Sequence, residues 1–441
     1  MLRIIFVCLA LLWAVPSWSQ VAPSASGGGP GEGAHMMTPP PVSSDGYPRG
    51  VGSGERSNFL NAGIGFNASY NDNLMEGGTT SPVSDETYSI LPNVALMRKT
   101  PRQEELLHYN SGFTIYQNRS ELNSVTQDAM AKYEYRFTPY LTLSLTDSLM
   151  QNSNAFNQPN PSAGGAVSGS AQSQPGTLLF PFQKQLANST NAGISYQYAK
   201  NAMLGGGGSY TFLHYSDLSR VTGAYDDNTA GGTGFYSRRL TPSQYLGGAY
   251  QYFKAVTHPF SSSTITQSIA VFYTIYFDRT FSLSLLFGPQ HFVSAQPQFP
   301  LFSAWTPEMM ASVGWQRRYA NFAAGYSRVV RGGEGLLGAY HTDNATASAQ
   351  WQMKRTWSSG LGGSYAIFKT ATPFQGTLNE GGHTLTGTIS IRHSIKERLN
   401  MEAGYSHLHQ SYGGIPQVSS FPDSNREFVS INYYFSRPLG R

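Results

Sequence analysis

The feature that most constrains this chain is a succession of segments in which apolar and polar residues alternate. After residue 58 these segments, each roughly ten to fourteen residues long, are separated by Gly, Pro, Asn or Asp. Alternation with a period of two is typical of β-strands, because successive side chains of a strand point to opposite faces. Helical periodicity is absent, so the chain is predicted to be all-β.

We predict eighteen strands, and sixteen is the alternative because the register of the segments 203–215 and 228–239 is weak. Each segment reaches the roughly 9 to 11 residues that a tilted strand needs to cross a membrane. The fold class expected is a transmembrane antiparallel up-and-down β-barrel. The predicted strands lie near residues 59–70, 86–98, 104–116, 124–137, 140–151, 186–198, 203–215, 228–239, 244–256, 264–277, 281–293, 307–318, 321–331, 340–353, 357–369, 382–394, 398–409 and 426–435.

Short and long connections alternate along the chain. Short turns such as 100–102 are followed by longer segments such as 152–185 and 332–339. Bacterial barrels have short periplasmic turns and longer extracellular loops, so both termini are placed in the periplasm. The longest loop, 152–185, is interpreted either as a segment that folds inward and constricts the lumen or as a surface loop.

The N-terminus predicts export. Arg3 precedes an apolar run over residues 4–15, and Ser17 and Ser19 stand where a signal peptidase would read. The run is shorter than the roughly 20 residues of a membrane helix, and no longer one follows, so a helical membrane protein is not expected. The predicted organisation is a signal peptide over 1–19, a disordered Gly/Pro-rich periplasmic tail over 20–58, the barrel over 59–435 and a tail over 436–441. Cys8, the single cysteine, lies in the signal.

The composition fits a barrel better than a soluble protein. Charged residues make up only 12% of the chain and aromatic residues 13%. A secreted soluble β-protein is the alternative, but it would carry more surface Lys and Glu. The segment 124–137 separates four charges from Ala and aromatic residues with a period of two, which predicts a polar lumen face and a lipid face. The residues predicted to line the lumen are Asp128, Lys132, Glu134, Arg136, Gln350, Gln352, Lys354, Arg392 and Glu402.

Aromatic residues gather at the ends of the predicted strands. Rings with one apolar and one polar edge favour the headgroup region of a membrane, so these positions predict an aromatic girdle. Its predicted members are Tyr135, Phe137, Tyr140, Phe277, Phe281, Trp351, Trp357, Tyr433 and Phe435.

We predict no catalytic residues, no cofactor and no metal site. No G-x-S-x-G motif occurs, and basic residues are scattered, which argues against an enzyme and against nucleic-acid binding. His407 and His409 share a strand face, but two imidazoles without a carboxylate partner are a weak metal site. They are interpreted as rim histidines.

Three stretches resemble a known family. Ala68-Ser69-Tyr70-Asn71-Asp72-Asn73-Leu74, then Leu91-Pro92-Asn93-Val94-Ala95-Leu96 and Thr100-Pro101-Arg102, are similar to the start of β-barrel porins encoded with bacterial exopolysaccharide and exosortase loci. This resemblance implies an outer-membrane barrel that serves polysaccharide secretion or passive solute entry. Many such barrels end on the final aromatic residue, whereas six residues follow Phe435 here.

Two functions of different class follow as expectations. The first is a water-filled pore in the cell outer membrane for small solutes or saccharides. The second is a non-conducting structural or adhesive barrel that displays its extracellular loops. The expected partners are outer-membrane lipid and lipopolysaccharide, the barrel-insertion machinery, and polysaccharide or small solutes.

Overall fold

The structure, a computed structural model, describes residues 58–74, 82–152, 185–216, 225–259, 262–278, 280–297, 299–317, 319–333, 336–372, 381–396, 398–412 and 422–438. The predicted signal peptide, nearly all of the predicted N-terminal tail and most of the 152–185 loop lie outside these residues.

Within these described residues, eighteen strands form one antiparallel sheet, which confirms the predicted number rather than the alternative of sixteen. A 3₁₀ turn, Ser120–Leu122, lies between the third and fourth strands. The strands are β1 (Phe59–Asn71), β2 (Asp85–Lys99), β3 (Gln103–Tyr116), β4 (Ser124–Thr138), β5 (Leu141–Asn152), β6 (Gln185–Ala199), β7 (Ala202–Tyr215), β8 (Asp226–Thr241), β9 (Gln244–His258), β10 (Ser262–Tyr276), β11 (Phe281–Ala295), β12 (Phe302–Arg317), β13 (Ala320–Gly333), β14 (Leu336–Lys354), β15 (Trp357–Thr370), β16 (Gly382–Lys396), β17 (Leu399–Tyr412) and β18 (Asp423–Pro438).

The sheet closes on itself because β1 pairs with both β2 and β18. At this seam Ile64 lies opposite Tyr433 and Phe66 lies opposite Ile431. The pairing runs past Phe435 as far as Pro438, which lies opposite Phe59, so the last strand is longer than its apolar pattern predicts. Closure leaves the sheet as a whole without an edge strand, the condition for a barrel in lipid.

The two faces of the wall differ as the alternation predicts. Large apolar side chains such as Ile269 and Val271 of β10 are exposed on the outer face, whereas Thr266, Ser268 and Thr274 of the same strand are buried on the inner face. In the part of the chain that the structure describes, no helix is long and apolar enough to cross a membrane.

Glycines on the inner face of β7 and β9 lie under aromatic rings of the neighbouring strands. Gly205 lies opposite Phe235, and Gly247 lies opposite Phe272. A Cβ atom at either glycine would overlap the facing ring. The rings therefore cover the glycines across the strands, and this arrangement is typical of strongly curved sheet.

Inward side chains are buried at both ends of the barrel interior. We name the end that carries the short connections the turn end, and the opposite end the loop end. Inward side chains at the loop end, such as Gln410, Ser424 and Tyr215, are fully or almost fully buried. At the turn end Met203 and Tyr245 are buried as well, whereas Lys132 and Glu134 are partly exposed.

Candidate functional site: the barrel interior

One hairpin leaves the barrel wall at the loop end. The ladder between β12 and β13 stops at the pair Met309 and Arg328, although β13 continues to Gly333 in its pairing with β14. The ladder between β14 and β15 starts only at Tyr340. Residues 329–333 therefore have no ladder to β12 and residues 336–339 have none to β15, while β13 and β14 stay paired with each other. We name residues 329–339 the inner hairpin; its tip, residues 334–335, lies outside the described residues.

The inner hairpin folds into the interior towards the nearby strands β8–β10. Cα atoms of β13 come within 8 Å of Cα atoms of β8, β9 and β10, none of which is its neighbour in the sheet. The backbone at Gly332 lies so close to Thr264 of β10 that a Cβ atom at residue 332 would overlap that side chain. Thr264 faces the interior and is 3% exposed. The hairpin thus packs on the inner surface of the wall at β10.

Pro307 explains why β13 separates from β12 at this point. If the register of Met309 and Arg328 continued, Glu308 would lie opposite Val329 and Pro307 opposite Val330. The N–H and C=O of Val330 point away from β14, so the carbonyl would need a donor from residue 307. Proline has no N–H group, so a continued ladder would leave this carbonyl without a partner.

Gln290 of β11 supplies both partners in place of the wall. Its Nε2 donates to the carbonyl of Val330 at 3.0 Å, and its Oε1 accepts from the Val330 N–H at 2.7 Å. Val330 is 1% exposed and Gln290 is 5% exposed. One buried side-chain amide therefore satisfies the backbone groups that the missing strand pairing would have left open.

Apolar contacts on both faces of the inner hairpin stabilise its position against the wall. Val330 and Ala339 pack with Phe292 of β11, and Phe302 and Ala304 extend this cluster. Val329, on the other face, belongs to a second cluster with Ala249, Ala270, Phe272, Leu286 and Met310. The N–H of Ala371, just after β15, donates to the carbonyl of Ala339 at 2.9 Å. The hairpin is therefore part of a core inside the barrel.

The four charges predicted for the lumen on β4 lie on one face of that strand. Asp128 is buried opposite Asn110, and Lys132 lies opposite Leu106. Nearer the turn end, Glu134 lies 3.6 Å from Arg136.

The neighbouring strands add two more charges at this place. Glu104 of β3 lies opposite Glu134 and 2.9 Å from Lys99 of β2. Together with Glu134 and Arg136, these residues form a group with two positive and two negative charges at the turn end.

The three residues of β14 that were predicted to line the lumen make different contacts. Gln350 accepts from Asn321 at 3.4 Å. Gln352 donates to the carbonyl of Lys354 at 2.6 Å, so its amide caps the turn into β15. A bulge after Gln352 shifts Lys354 opposite Trp357, and Lys354 is exposed. The register thus removes Lys354 from the row of inner-face residues formed by Gln350 and Gln352.

Arg392 and Glu402 form a buried ion pair. Nη2 of Arg392 donates to Oε2 of Glu402 at 2.9 Å, and Glu402 is 2% exposed. Glu308 of β12, which the sequence analysis did not select, is equally buried and is hydrogen-bonded to Ser268. The positive charge of Arg331 on the inner hairpin acts on Glu308, so the hairpin and the wall also interact electrostatically.

The residues predicted for the aromatic girdle lie near strand ends on the turn side. Phe137, Tyr140, Phe277, Trp351, Tyr433 and Phe435 are exposed, and Tyr135, Phe281 and Trp357 are half-buried. Ring centroids of Tyr135 and Phe137 are 5.0 Å apart, and those of Phe277 and Phe281 are 5.1 Å apart. Trp305, 70% exposed near the loop end, was missed although its alternation with Pro307 and Met309 on β12 could have indicated it.

The prediction of a loop over 332–339 is wrong. Residues 332–333 and 336–339 are strand and belong to the inner hairpin. Glycines at 332, 333, 335 and 338 suggested a loop. The residues that favour the inward position, Pro307 and Gln290, lie on other strands and give no local signal within the segment itself.

Within the described part of the chain, no group of three or more His, Cys, Asp or Glu side chains has a geometry that could hold a metal ion.

These features define the class of the fold: a closed antiparallel barrel of eighteen strands with an apolar outer wall and a largely polar inner wall. No family model matches the sequence, and no curated protein matches it.

The chain is similar to several solved structures at low sequence identity. The ferric citrate transporter FecA in its unliganded form is 11% identical over 85% of this chain and 64% of its own, with a TM-score of 0.42. OpdO of Pseudomonas aeruginosa is 9% identical over 86% of this chain and 97% of its own, with a TM-score of 0.41. OccK2 (OpdF) of the same organism is 10% identical over 87% and 98%, with a TM-score of 0.43. The chain thus spans less than two thirds of the length of FecA.

Proposed function

We propose that this chain is a channel protein of the cell outer membrane, that small polar solutes or saccharides pass through its interior, and that the inner hairpin restricts their passage. The observation that carries the proposal is the closed wall of eighteen strands combined with a hairpin that folds into the interior over β8–β10. A barrel of this size is wide enough to leave an aqueous channel unless something fills it.

The character of the inner wall supports passage of polar, uncharged molecules. Rows of Thr and Ser face inward on β10 and β16, and the named inner charges occur mostly in pairs of opposite sign. Hydroxyl-lined walls offer hydrogen bonds to sugars, and paired charges produce little net field. The proposal needs no catalytic residue and no cofactor.

The link to exopolysaccharide secretion is a further part of the proposal. It is supported by the sequence resemblance of residues 68–74, 91–96 and 100–102 to porins of exopolysaccharide loci. The partners proposed are outer-membrane lipid and lipopolysaccharide at the outer wall, the insertion machinery during assembly, and a polysaccharide or its fragments inside.

A second function, a non-conducting barrel that displays loops, is favoured by one observation. Inward side chains at the loop end are almost fully buried, with Gln410 and Ser424 at 0% exposure. A resting barrel with so little free surface there would conduct poorly.

Shortening the inner hairpin tests the proposal and separates the two functions. In the test variant, residues 330–341 are replaced by a two-residue Asn-Gly turn, which suits a hairpin closed by the pair Val329 and Thr342. We expect a higher single-channel conductance in planar bilayers and faster swelling of liposomes in larger sugars than for the wild type. A variant that lacks residues 156–176 is the control, because it tests whether the removal of another connecting segment changes the conductance in the same way. If neither the wild type nor the shortened barrel conducts, the channel is refuted and the displaying barrel is supported.

A further inference from the structure

A histidine pair lies on the outer face of the barrel near the loop end, away from the interior site. His383 is on β16 and His409 is on β17, diagonal to each other across the two strands. Their Nε2 atoms are 3.1 Å apart, and their ring centroids are 5.1 Å apart. Both side chains are half-buried, so their rings are held by neighbours but remain reachable from outside.

A carboxylate fixes the protonation of one member of the pair. Oδ1 of Asp423 lies 2.8 Å from Nδ1 of His409. A carboxylate only accepts hydrogen bonds, so Nδ1 carries the proton, and the Nε2 of the neutral ring then holds a lone pair. Carboxylates that orient a histidine through its second nitrogen are typical of histidines that bind metal ions.

The distance between the two Nε2 atoms suits a shared ion. With metal–nitrogen bonds of about 2.0 to 2.1 Å, nitrogens separated by 3.1 Å subtend an angle of roughly 100° at the metal. This angle lies between those of octahedral and tetrahedral coordination. Imidazole nitrogens are good ligands for Zn²⁺, Ni²⁺ and Cu²⁺, and poor ones for Ca²⁺ and Mg²⁺.

We propose that His383 and His409 form a two-imidazole binding site for a divalent transition-metal cation, and that Asp423 is its positioning residue. The lone pair on each Nε2 binds the ion, and water completes the coordination. When the ion binds, the proton on Nε2 of His383 exchanges through water to Nδ1 of the same ring. The sequence pattern places His407 and His409 on one strand face, where they were interpreted as rim histidines, whereas the structure places His409 beside His383 of the adjacent strand.

His407 is engaged differently. Its Nδ1 lies 2.8 Å from Oδ1 of Asn425, and its Nε2 lies 3.8 Å from Asp423. It therefore shares the carboxylate of the site but does not face the Nε2 pair.

The test is titration of the full-length mature chain, purified in detergent with a tag that contains no histidine, with ZnCl₂ at pH 7.5 by calorimetry. We expect one saturable Zn²⁺ per chain, and H383Q and H409Q each to weaken binding by more than about tenfold. D423N should weaken it by about tenfold, and D423E should restore it. The matched control is H291Q, because His291 also lies on the outer face but its Nε2 is 2.8 Å from the Ser303 hydroxyl.

A second measurement keeps the test independent of small stability changes. The spectrum of bound Cu²⁺ in electron paramagnetic resonance should show two nitrogen ligands in the wild type and in D423N, and one in H383Q. Far-ultraviolet circular dichroism confirms that each variant is folded. The proposal is overturned if the wild type shows no saturable Zn²⁺ binding, if H383Q and H409Q bind as the wild type does, or if H291Q loses as much affinity as they do.

Discussion

Replacing Gln290 by leucine should release the inner hairpin. The leucine side chain is similar in size but has no polar atoms, so both hydrogen bonds to Val330 are lost. The N–H and C=O of Val330 then stay buried without partners, or the hairpin moves until water reaches them. Hairpin movement is favoured because β12 offers proline at the position that Val330 would otherwise pair with.

The size of the effect follows from the two bonds. A buried hydrogen bond contributes about 1 kcal/mol net, so losing two should destabilise the docked hairpin by about 2 kcal/mol. This corresponds to about a 30-fold increase in the ratio of undocked to docked hairpin, since about 1.4 kcal/mol is a factor of ten. The apolar contacts of Val330 and Ala339 with Phe292 are retained in the variant, so the barrel itself should remain folded.

Thiol labelling measures this ratio. The single natural cysteine, Cys8, lies in the predicted signal peptide, so a cysteine introduced at Ala339 would be the only thiol of a mature chain. Ala339 is 0% exposed, and labelling of A339C therefore requires undocking. We expect Q290L to speed labelling about 30-fold. The control is Q350L, because Gln350 makes only a long 3.4 Å contact with Asn321. Equal labelling rates in the two variants would refute the role given to Gln290.

Two further predictions concern the wall. R392M should destabilise the barrel by about 3 to 5 kcal/mol in urea unfolding, because it leaves the buried carboxylate of Glu402 unpaired. Adding E402Q should recover much of that loss, and absence of any recovery would show that the charge is not the cause. I389R, on the outer face, should cost about 2 to 4 kcal/mol. T388R, its neighbour on the inner face, should cost clearly less; equal losses would contradict the assignment of the faces.

The strands and their closure were predictable because local rules act consistently there. Period-two alternation and turn residues give the strands, and the alternation of short and long connections gives their antiparallel order. The apolar face of β18 and of β1 also identified the two strands of the seam. An apolar outer face and a largely polar inner face constrain the residues of the wall, so the sequence follows the pattern.

The inner hairpin and the histidine pair were not predictable in the same way. The hairpin depends on Gln290 reaching Val330 across β12, a contact between residues 40 positions apart in sequence. The histidine pair depends on the register between β16 and β17, which places His383 beside His409. Alternation predicts which face of the sheet a residue occupies, but it does not predict which residues of two neighbouring strands lie opposite each other. A shift of the register by two residues would keep every face and separate both pairs.

The inner hairpin has two possible arrangements: it could extend the wall, or it could pack in the interior as observed. In a continuous wall, residues 329–333 would pair with β12 and residues 336–339 would pair with β15. Pro307 removes the donor that Val330 requires, while Gln290 offers both a donor and an acceptor inside. Gly332 removes the side chain that would keep the backbone away from Thr264. Each of these residues disfavours the wall or favours the interior, and none is needed to build a plain barrel. Their coincidence at one hairpin is therefore the strongest argument that the hairpin serves the function of the interior.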